Sequence, residues 1–268
     1  SGSSQVWQLP LSGGEAQPLT ALPLDVDNFV LSRDGRRLAL SMQVFPGTTP
    51  AQTKKRLDEI AAGAATGRTY DRLFFRHWDT WEDGRRSHIF VLPASGGEPV
   101  DVMQAMDADA PSRPFGGSNE YTFTPDGRSI VFGARNVGRE EAWSTNFDLF
   151  VAPIDGSAAP RNLTPGNPGW DAFPTFAPDG RTLAYTAMQR PGYEADRFRI
   201  VLRQWPDGDE RVLTESWDRS PGNLAWSPDG KTLFATADDL GNHALFAVDV
   251  ASGKVRTVVS RGHVAAPQ

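Results

Sequence analysis

Four copies of one hairpin punctuate the chain. Leu31–Leu40 reads LSRDGRRLAL, Thr122–Phe132 reads TFTPDGRSIVF, Thr175–Tyr185 reads TFAPDGRTLAY and Ala225–Phe234 reads AWSPDGKTLF. Each is an apolar strand, a turn bearing Asp-Gly, a basic residue and a second apolar strand. Pro presets φ at the first turn position, Asp bonds its own backbone, and Gly accepts the left-handed conformation that closes the turn. Arg33 stands where the other copies have Pro, and the first turn is expected to be looser for it. A second hairpin type interleaves with the first, at Gln5–Thr20, His88–Met103, Asp148–Thr164, Arg199–Thr214 and Ala244–Ser260. Each of these is a strand, a Gly-containing turn and a more polar strand. The two types together make a four-stranded unit A-B-C-D, and a strand repeat of about 50 residues points to a β-propeller.

The expected fold is therefore all-β, a propeller with four complete blades at 24–103, 119–164, 171–214 and 223–260 and a partial fifth. Residues 5–20 are an orphan C-D half, 262–268 read as the start of a next strand A, and 1–4 read as a remnant outside the fold. A single propeller over 1–268 is expected, with the N-terminal strands sharing a blade with Gly262–Gln268. Left open, those blade edges would favour self-association.

Composition agrees. Of 268 residues, 39% are hydrophobic and 10% aromatic, with 26 Gly and 21 Pro, enough apolar mass for a core and many turns. A net charge of −6 disfavours nucleic acid as a partner, because that binding is driven by cations on phosphates. No apolar run approaches the ~20 residues of a membrane span. The chain has no Cys, which excludes disulfides and thiolate metal sites. No targeting segment is legible, so a periplasmic and a cytoplasmic location in a bacterium both remain open.

The tight A-B and C-D turns contrast with longer, varied B-C and D-A connections, and in a four-stranded blade those two long types emerge on one face. Function is expected there. The longest, Ser41–Ser87, holds the one clear helix. Thr49-Pro50-Ala51-Gln52 is a capping-box start, Leu57, Ile60, Ala61 and Ala64 form one apolar stripe, and Gly63 and Gly67 end it. The stripe and the nearby Phe74, Phe75, Trp78 and Trp81 are expected to lie where a partner domain docks.

After the helix come Tyr70–Trp81, YDRLFFRHWDTW, and then DGRRSHIFV. With the repeats and the segment Arg139–Asn146, REEAWSTN, this stretch resembles the N-terminal propeller of prolyl oligopeptidase family serine peptidases, in the branch of dipeptidyl and acylaminoacyl peptidases. The resemblance implies a gating and docking propeller that caps a C-terminal α/β-hydrolase domain carrying a Ser-Asp-His triad, with short peptides as substrates. It also implies a propeller glutamate pair holding the substrate's amino terminus, for which Glu140 and Glu141 are the candidates by type. A solvated charge pair is the plainer reading of the same two residues. Arg76, Trp78 and Asp79 are further candidates for substrate contact or docking, against a structural Arg76–Asp79 ion pair with Trp78 packed beside it.

No catalytic residue is assigned within the chain. A nucleophile elbow requires G-x-S-x-G, and Gly116-Gly117-Ser118-Asn119-Glu120 lacks the final Gly. His77, His88, His243 and His263 are scattered without metal spacing and read as structural, so no metal or cofactor is expected. The Trp residues read as core packing. The alternative to a peptidase propeller is a stand-alone TolB-like propeller serving as an interaction scaffold. A glycosidase propeller would require paired carboxylates around a pore, which no strand A supplies.

Overall fold

A computed structural model describes residues 2–104, 106–265 and 267. Two short strands open the chain, β1 (Trp7–Gln8) and β2 (Gln17–Pro18), paired only with each other. The first four-stranded sheet contains β3 (Asn28–Leu31) and β4 (Arg37–Val44). Its insertion then holds α1 (Pro50–Ala62) and the small hairpin β5 (Arg76–His77) and β6 (Thr80–Trp81). β7 (Arg86–Pro93) and β8 (Val100–Asp101) complete the sheet.

Three further antiparallel sheets follow in chain order. The second is β9 (Tyr121–Phe123), β10 (Ser129–Ala134), β11 (Asp148–Pro153) and β12 (Arg161–Asn162). The third is β13 (Asp171–Phe176), β14 (Thr182–Ala187), β15 (Arg199–Gln204) and β16 (Glu210–Val212). The fourth is β17 (Leu224–Trp226), β18 (Thr232–Asp239), β19 (Asn242–Asp249) and β20 (Val255–Val259). Each sheet is ordered as its strands occur in sequence.

The core lies between the sheets. Ile130, Phe132 and Ala134 of β10 pack with Ala39, Ile89 and Val91 of the first sheet, while Val131 packs with Leu183 and Tyr185 of the third. Ala184 in turn packs with Leu233 and Ala235 of the fourth. Alternate residues of one strand thus bury against opposite neighbours, which is why the middle strands read as unbroken apolar runs.

Side-chain caps lock the hairpin turns. Asp34, Asp126 and Asp229 each accept a hydroxyl hydrogen bond, from Ser32, Thr124 and Ser227, and an N–H from the following basic residue. Asp179 accepts only the N–H of Arg181, because Ala177 has no hydroxyl to offer. The first turn is not looser for lacking Pro. Gly35 N–H reaches Ser32 O at 2.8 Å, as Gly127 N–H reaches Thr124 O at 2.8 Å. Arg33 instead extends Nη1 to Pro178 O at 2.8 Å, tying the first turn to the third.

A recurring backbone bond ties the connections to the preceding hairpins: Val26 N–H reaches Ser4 O, Ala110 reaches Ser87, Asp171 at the start of β13 reaches Phe147 just before β11, and Val264 reaches His243, at 2.8–2.9 Å. The expected joining of the two chain ends in one blade is not seen among the described residues. Gly262–Ala265 bond to the fourth sheet, while Val6, Leu24 and Val26 pack against β4 of the first. Gln268, the last residue of that expectation, lies outside the described residues.

The tryptophans correct the core expectation. Trp7, Trp78, Trp81 and Trp143 are more than half exposed and none of the eight is fully buried. Trp205, Trp217 and Trp226 pack against the inter-sheet clusters only at their edges, partly buried. Among the described residues no helix is long and apolar enough to cross a membrane.

Candidate functional site

The long connections of the first two sheets enclose a cavity of about 440 Å³. Its walls come from Phe45 and from Leu57 and Ile60 of α1, from 68–72, Phe74, His77 and 82–86 of the insertion, from Asp109, Ser112 and Arg113, and from Arg135, Glu141 and Phe147. The A-B and C-D turns line a different hollow, around Asp34, Asp126 and Asp155, so the two kinds of connection are segregated in space. The helix forms as its capping box requires: Gln52 N–H donates to Thr49 Oγ1 and Thr49 N–H donates to Gln52 Oε1. Its stripe is only partly used. Leu57 packs against the buried cluster built on β4, Ile60 is 56% exposed, and Ala64 lies beyond the helix end.

Arg86 organises the floor. It is the first residue of β7, paired across the ladder with Val44, and its side chain is buried. Nε donates to Asp107 at 2.8 Å, Nη1 to Asp109 at 2.9 Å, and Nη1 and Nη2 to the two oxygens of Glu141 at 2.9 and 2.7 Å. Burial alone would lower its pKa. The Glu141 hydrogen bonds and the charges of Asp109 and Glu141 outweigh that and hold it above the ordinary guanidinium range. Asp109 also accepts the Ser87 N–H at 2.7 Å, and Asp107 accepts from Arg72 at 2.7 Å. Although burial pushes the other way, the hydrogen bonds from Arg72 and Arg86 hold Asp107 below the usual carboxylate range.

Glu82 is less well matched. Arg113 approaches it only to 3.5 Å, and burial raises its pKa in spite of that charge. A partly desolvated carboxylate in a cavity wall gains from a cationic ligand.

The sequence candidates separate. Glu141 turns inward from the 3-10 turn Gly138–Ala142 onto Arg86, whereas Glu140 is exposed. The two carboxylates therefore point in different directions, Glu141 onto Arg86 and Glu140 outward. Arg76 and Asp79 are both exposed, with no ion pair between them among the described residues. Arg76 lies 5.6 Å from the Trp81 ring centre instead. Trp78, at φ 52°, is 72% exposed and meets Phe115 edge-on at 5.7 Å. None of these three lines the cavity, but their neighbour His77 does, stacked on Phe74 at 5.2 Å. His88 is buried between Asp101 and the Met106 carbonyl, 2.9 Å from each. Ser118 lies on a short 3-10 turn that ends at Glu120, whose carboxylate accepts from the Ser112 N–H and hydroxyl.

Arg86, Glu82, Asp109, Arg113 and Arg135 were not singled out by sequence reasoning. One signal was available for Arg86: a charge opening an otherwise apolar strand requires buried partners. Nothing local marks Asp109 or Arg135, which reach the cavity through the packing of one sheet on the next.

No known family profile matches the chain. It is similar to dipeptidyl-peptidase 5 of Porphyromonas gingivalis, 27% identical over 242 residues and 89% of this chain. To dipeptidyl-peptidase 5 of Arthroderma otae it is 32% identical over 254 residues and 87% of this chain. It spans about a third (34%) of the length of each of these curated relatives. Among solved structures, the Pyrococcus horikoshii acylaminoacyl peptidase matches 96% of this chain with 35% of its own, at TM-score 0.63 and 14% identity. TolB from Acinetobacter baumannii matches 93% of this chain with 47% of its own, at TM-score 0.54 and 14% identity. The structural likeness fits a β-propeller. The sequence relatives are peptidases, as the RHWDTW and DGRRSHIFV stretches led one to expect.

Proposed function

We propose, from its kinship with the dipeptidyl-peptidases 5, that this chain is the propeller part of a longer serine exopeptidase and receives the amino end of a short peptide in the cavity beside α1. In this reading the four sheets are four complete blades and the flanking halves belong to others. The nucleophile and its partners would lie in the two thirds of the relatives' length that this chain does not span.

The observation that carries the reading is the state of Glu82. It is a partly buried carboxylate in the cavity wall, with its nearest cation among the described residues, Arg113, at 3.5 Å. A peptide ammonium would complete its solvation. Glu141 would contribute field rather than a direct pair, since both its oxygens already accept from Arg86. Ser112 and the ring of Phe74 supply polar and apolar walls of the kind that orient a small ligand. The half-exposed or exposed Phe75, Trp78, Trp81 and Phe115 lie on the same insertion or next to it, and are the surface proposed to meet the hydrolase domain. A free-standing scaffold of TolB type would share the fold, but it offers no reason for a cavity whose wall holds an under-compensated carboxylate.

Calorimetric titration of the chain with glycylglycinamide and with its N-acetyl derivative tests this. The free amine is expected to bind and the acetylated one to bind at least tenfold more weakly, with the difference lost in Glu82→Gln. Equal binding of both would sink the reading.

A further inference from the structure

We propose that Arg135 is a carboxylate-binding residue, so that the cavity favours peptides bearing an acidic group close to their free amino end. This rests on the peptide-binding reading above.

Cations in this cavity are otherwise matched. Arg72 is held by Asp107, Arg85 by Asp83, Arg86 by three carboxylates and Arg113 by Glu82, all within 4 Å. Arg68, at the cavity wall, is solvent-exposed. Arg135 differs from all of these. It follows the end of β10, is half-buried, and has no carboxylate within ion-pair distance among the described residues. Its Nη1 donates to the Ser144 carbonyl at 3.0 Å, its Nε is enclosed without a partner, and Nη2 has no acceptor among the described residues. Buried guanidinium donors are ordinarily paired, because an uncompensated buried charge is costly.

Burial lowers the pKa of Arg135 in spite of the more distant charges of Glu141, Asp109 and Glu194, none of which pairs with it directly among the described residues. The guanidinium carbon lies 5.0 Å from the Phe147 ring centre and 5.6 Å from that of Phe74, within reach of cation–π attraction. Rings orient a flat cation and leave its edge free to donate in the plane. Phe74 and Arg135 also line a second hollow of about 370 Å³, with Trp143, Thr145, Tyr193 and Glu194. Arg135 therefore stands where two cavities meet, and a ligand reaching past Glu141 from the first encounters it. A carboxylate accepts two parallel bonds from such a fork. Its source is either the side chain of an acidic residue or the terminal carboxylate of a very short peptide.

Four probes separate these sources: Gly-Glu-amide, Gly-Gln-amide, Gly-Gly as the free acid and N-acetyl-Gly-Glu-amide. Each is titrated into the wild-type chain and into Arg135→Met and Arg135→Lys, with melting curves to check folding. Wild type is expected to bind Gly-Glu-amide about tenfold or more tightly than Gly-Gln-amide. Arg135→Met should abolish that preference, and Arg135→Lys should keep only part of it. Gly-Gly binding that falls in Arg135→Met assigns the terminal carboxylate as the source. If Arg135→Met does not fold, the wild-type preference and its reduction in Arg135→Lys decide the matter.

Equal wild-type binding of Gly-Glu-amide and Gly-Gln-amide, with Gly-Gly unaffected by Arg135→Met, overturns the proposal and leaves the amine reading standing. A carboxylate preference that depends on Arg135 and persists in the acetylated peptide upholds Arg135 and removes the amine reading. Binding of none of the four overturns both.

Discussion

Arg86 and Glu141, 55 positions apart, meet through two parallel hydrogen bonds of 2.9 and 2.7 Å. The pair clamps the first strand residue of β7 to the turn that follows β10, so it joins two successive sheets at the cavity wall. The side chains are 9% and 12% exposed, and in that setting removing one partner costs more than the pair itself contributes. Arg86→Met strands Asp109 and Glu141 and is expected to destabilise the chain by about 3–5 kcal/mol. Glu141→Gln leaves Arg86 its two aspartates and should cost less. The double variant should cost less than the two single losses added together. Denaturant melts of the three variants check this, and an Arg86→Met loss of under about 1 kcal/mol, the range of a surface pair, contradicts it.

Asp171 predicts a pH dependence. It is fully buried at the seam between the second and third sheets, with one oxygen accepting from Asn167 Nδ2 at 2.8 Å and the other unpartnered. Burial pushes its pKa up to about 7. The unfolded value is near 4, so between about pH 4 and 7 the folded chain holds a proton that the unfolded chain has released. Stability therefore falls as pH rises through that window and levels off above it. Asp171→Asn should remove this slope, gaining on wild type by a few kcal/mol between pH 5 and pH 8. A difference between the two that does not change with pH would show that the carboxyl ionises normally.

Catalysis by the chain alone is not expected, since it carries no G-x-S-x-G and Ser118 sits beside a carboxylate occupied with Ser112. Dipeptidyl p-nitroanilides incubated with the chain should release no nitroaniline above background. Turnover that a fluorophosphonate abolishes would place a serine nucleophile here after all.

Two residues of α1 should behave differently although both line the cavity. Leu57 packs toward the aliphatic cluster at β4, and Leu57→Asp is expected to cost about 2 kcal/mol. Ile60 is more than half exposed, and Ile60→Asp should change stability by no more than about 0.5 kcal/mol. In the longer protein Ile60→Asp should instead weaken association with the remaining domain. Melts of the chain and an association assay with the separately produced domain distinguish the two effects. Equal destabilisation by both substitutions would make the whole stripe part of the propeller core.

The repeat was legible in the chain because its causes are local. Asp34, Asp126, Asp179 and Asp229 each close a turn through bonds two residues away, and the apolar strands on either side need only alternate or run on to be recognised. The helix start at Thr49 and Gln52 was readable for the same reason. So was the kinship, which rides on contiguous stretches such as RHWDTW. The candidate site was read only in part. Glu141 was a candidate together with Glu140, but adjacency in sequence could not show that only Glu141 turns inward, onto Arg86. Trp78 and Arg76 drew notice by type and lie outside the cavity. Arg86, Asp109, Glu82 and Arg135 come from three separate connections, and their charges acquire meaning only when one sheet packs on the next. Local turn chemistry and strand periodicity thus determined the architecture from the sequence alone. Which charges are matched and which is left free was decided by tertiary packing, because burial and distance set an ion's energy and neither is a property of a segment.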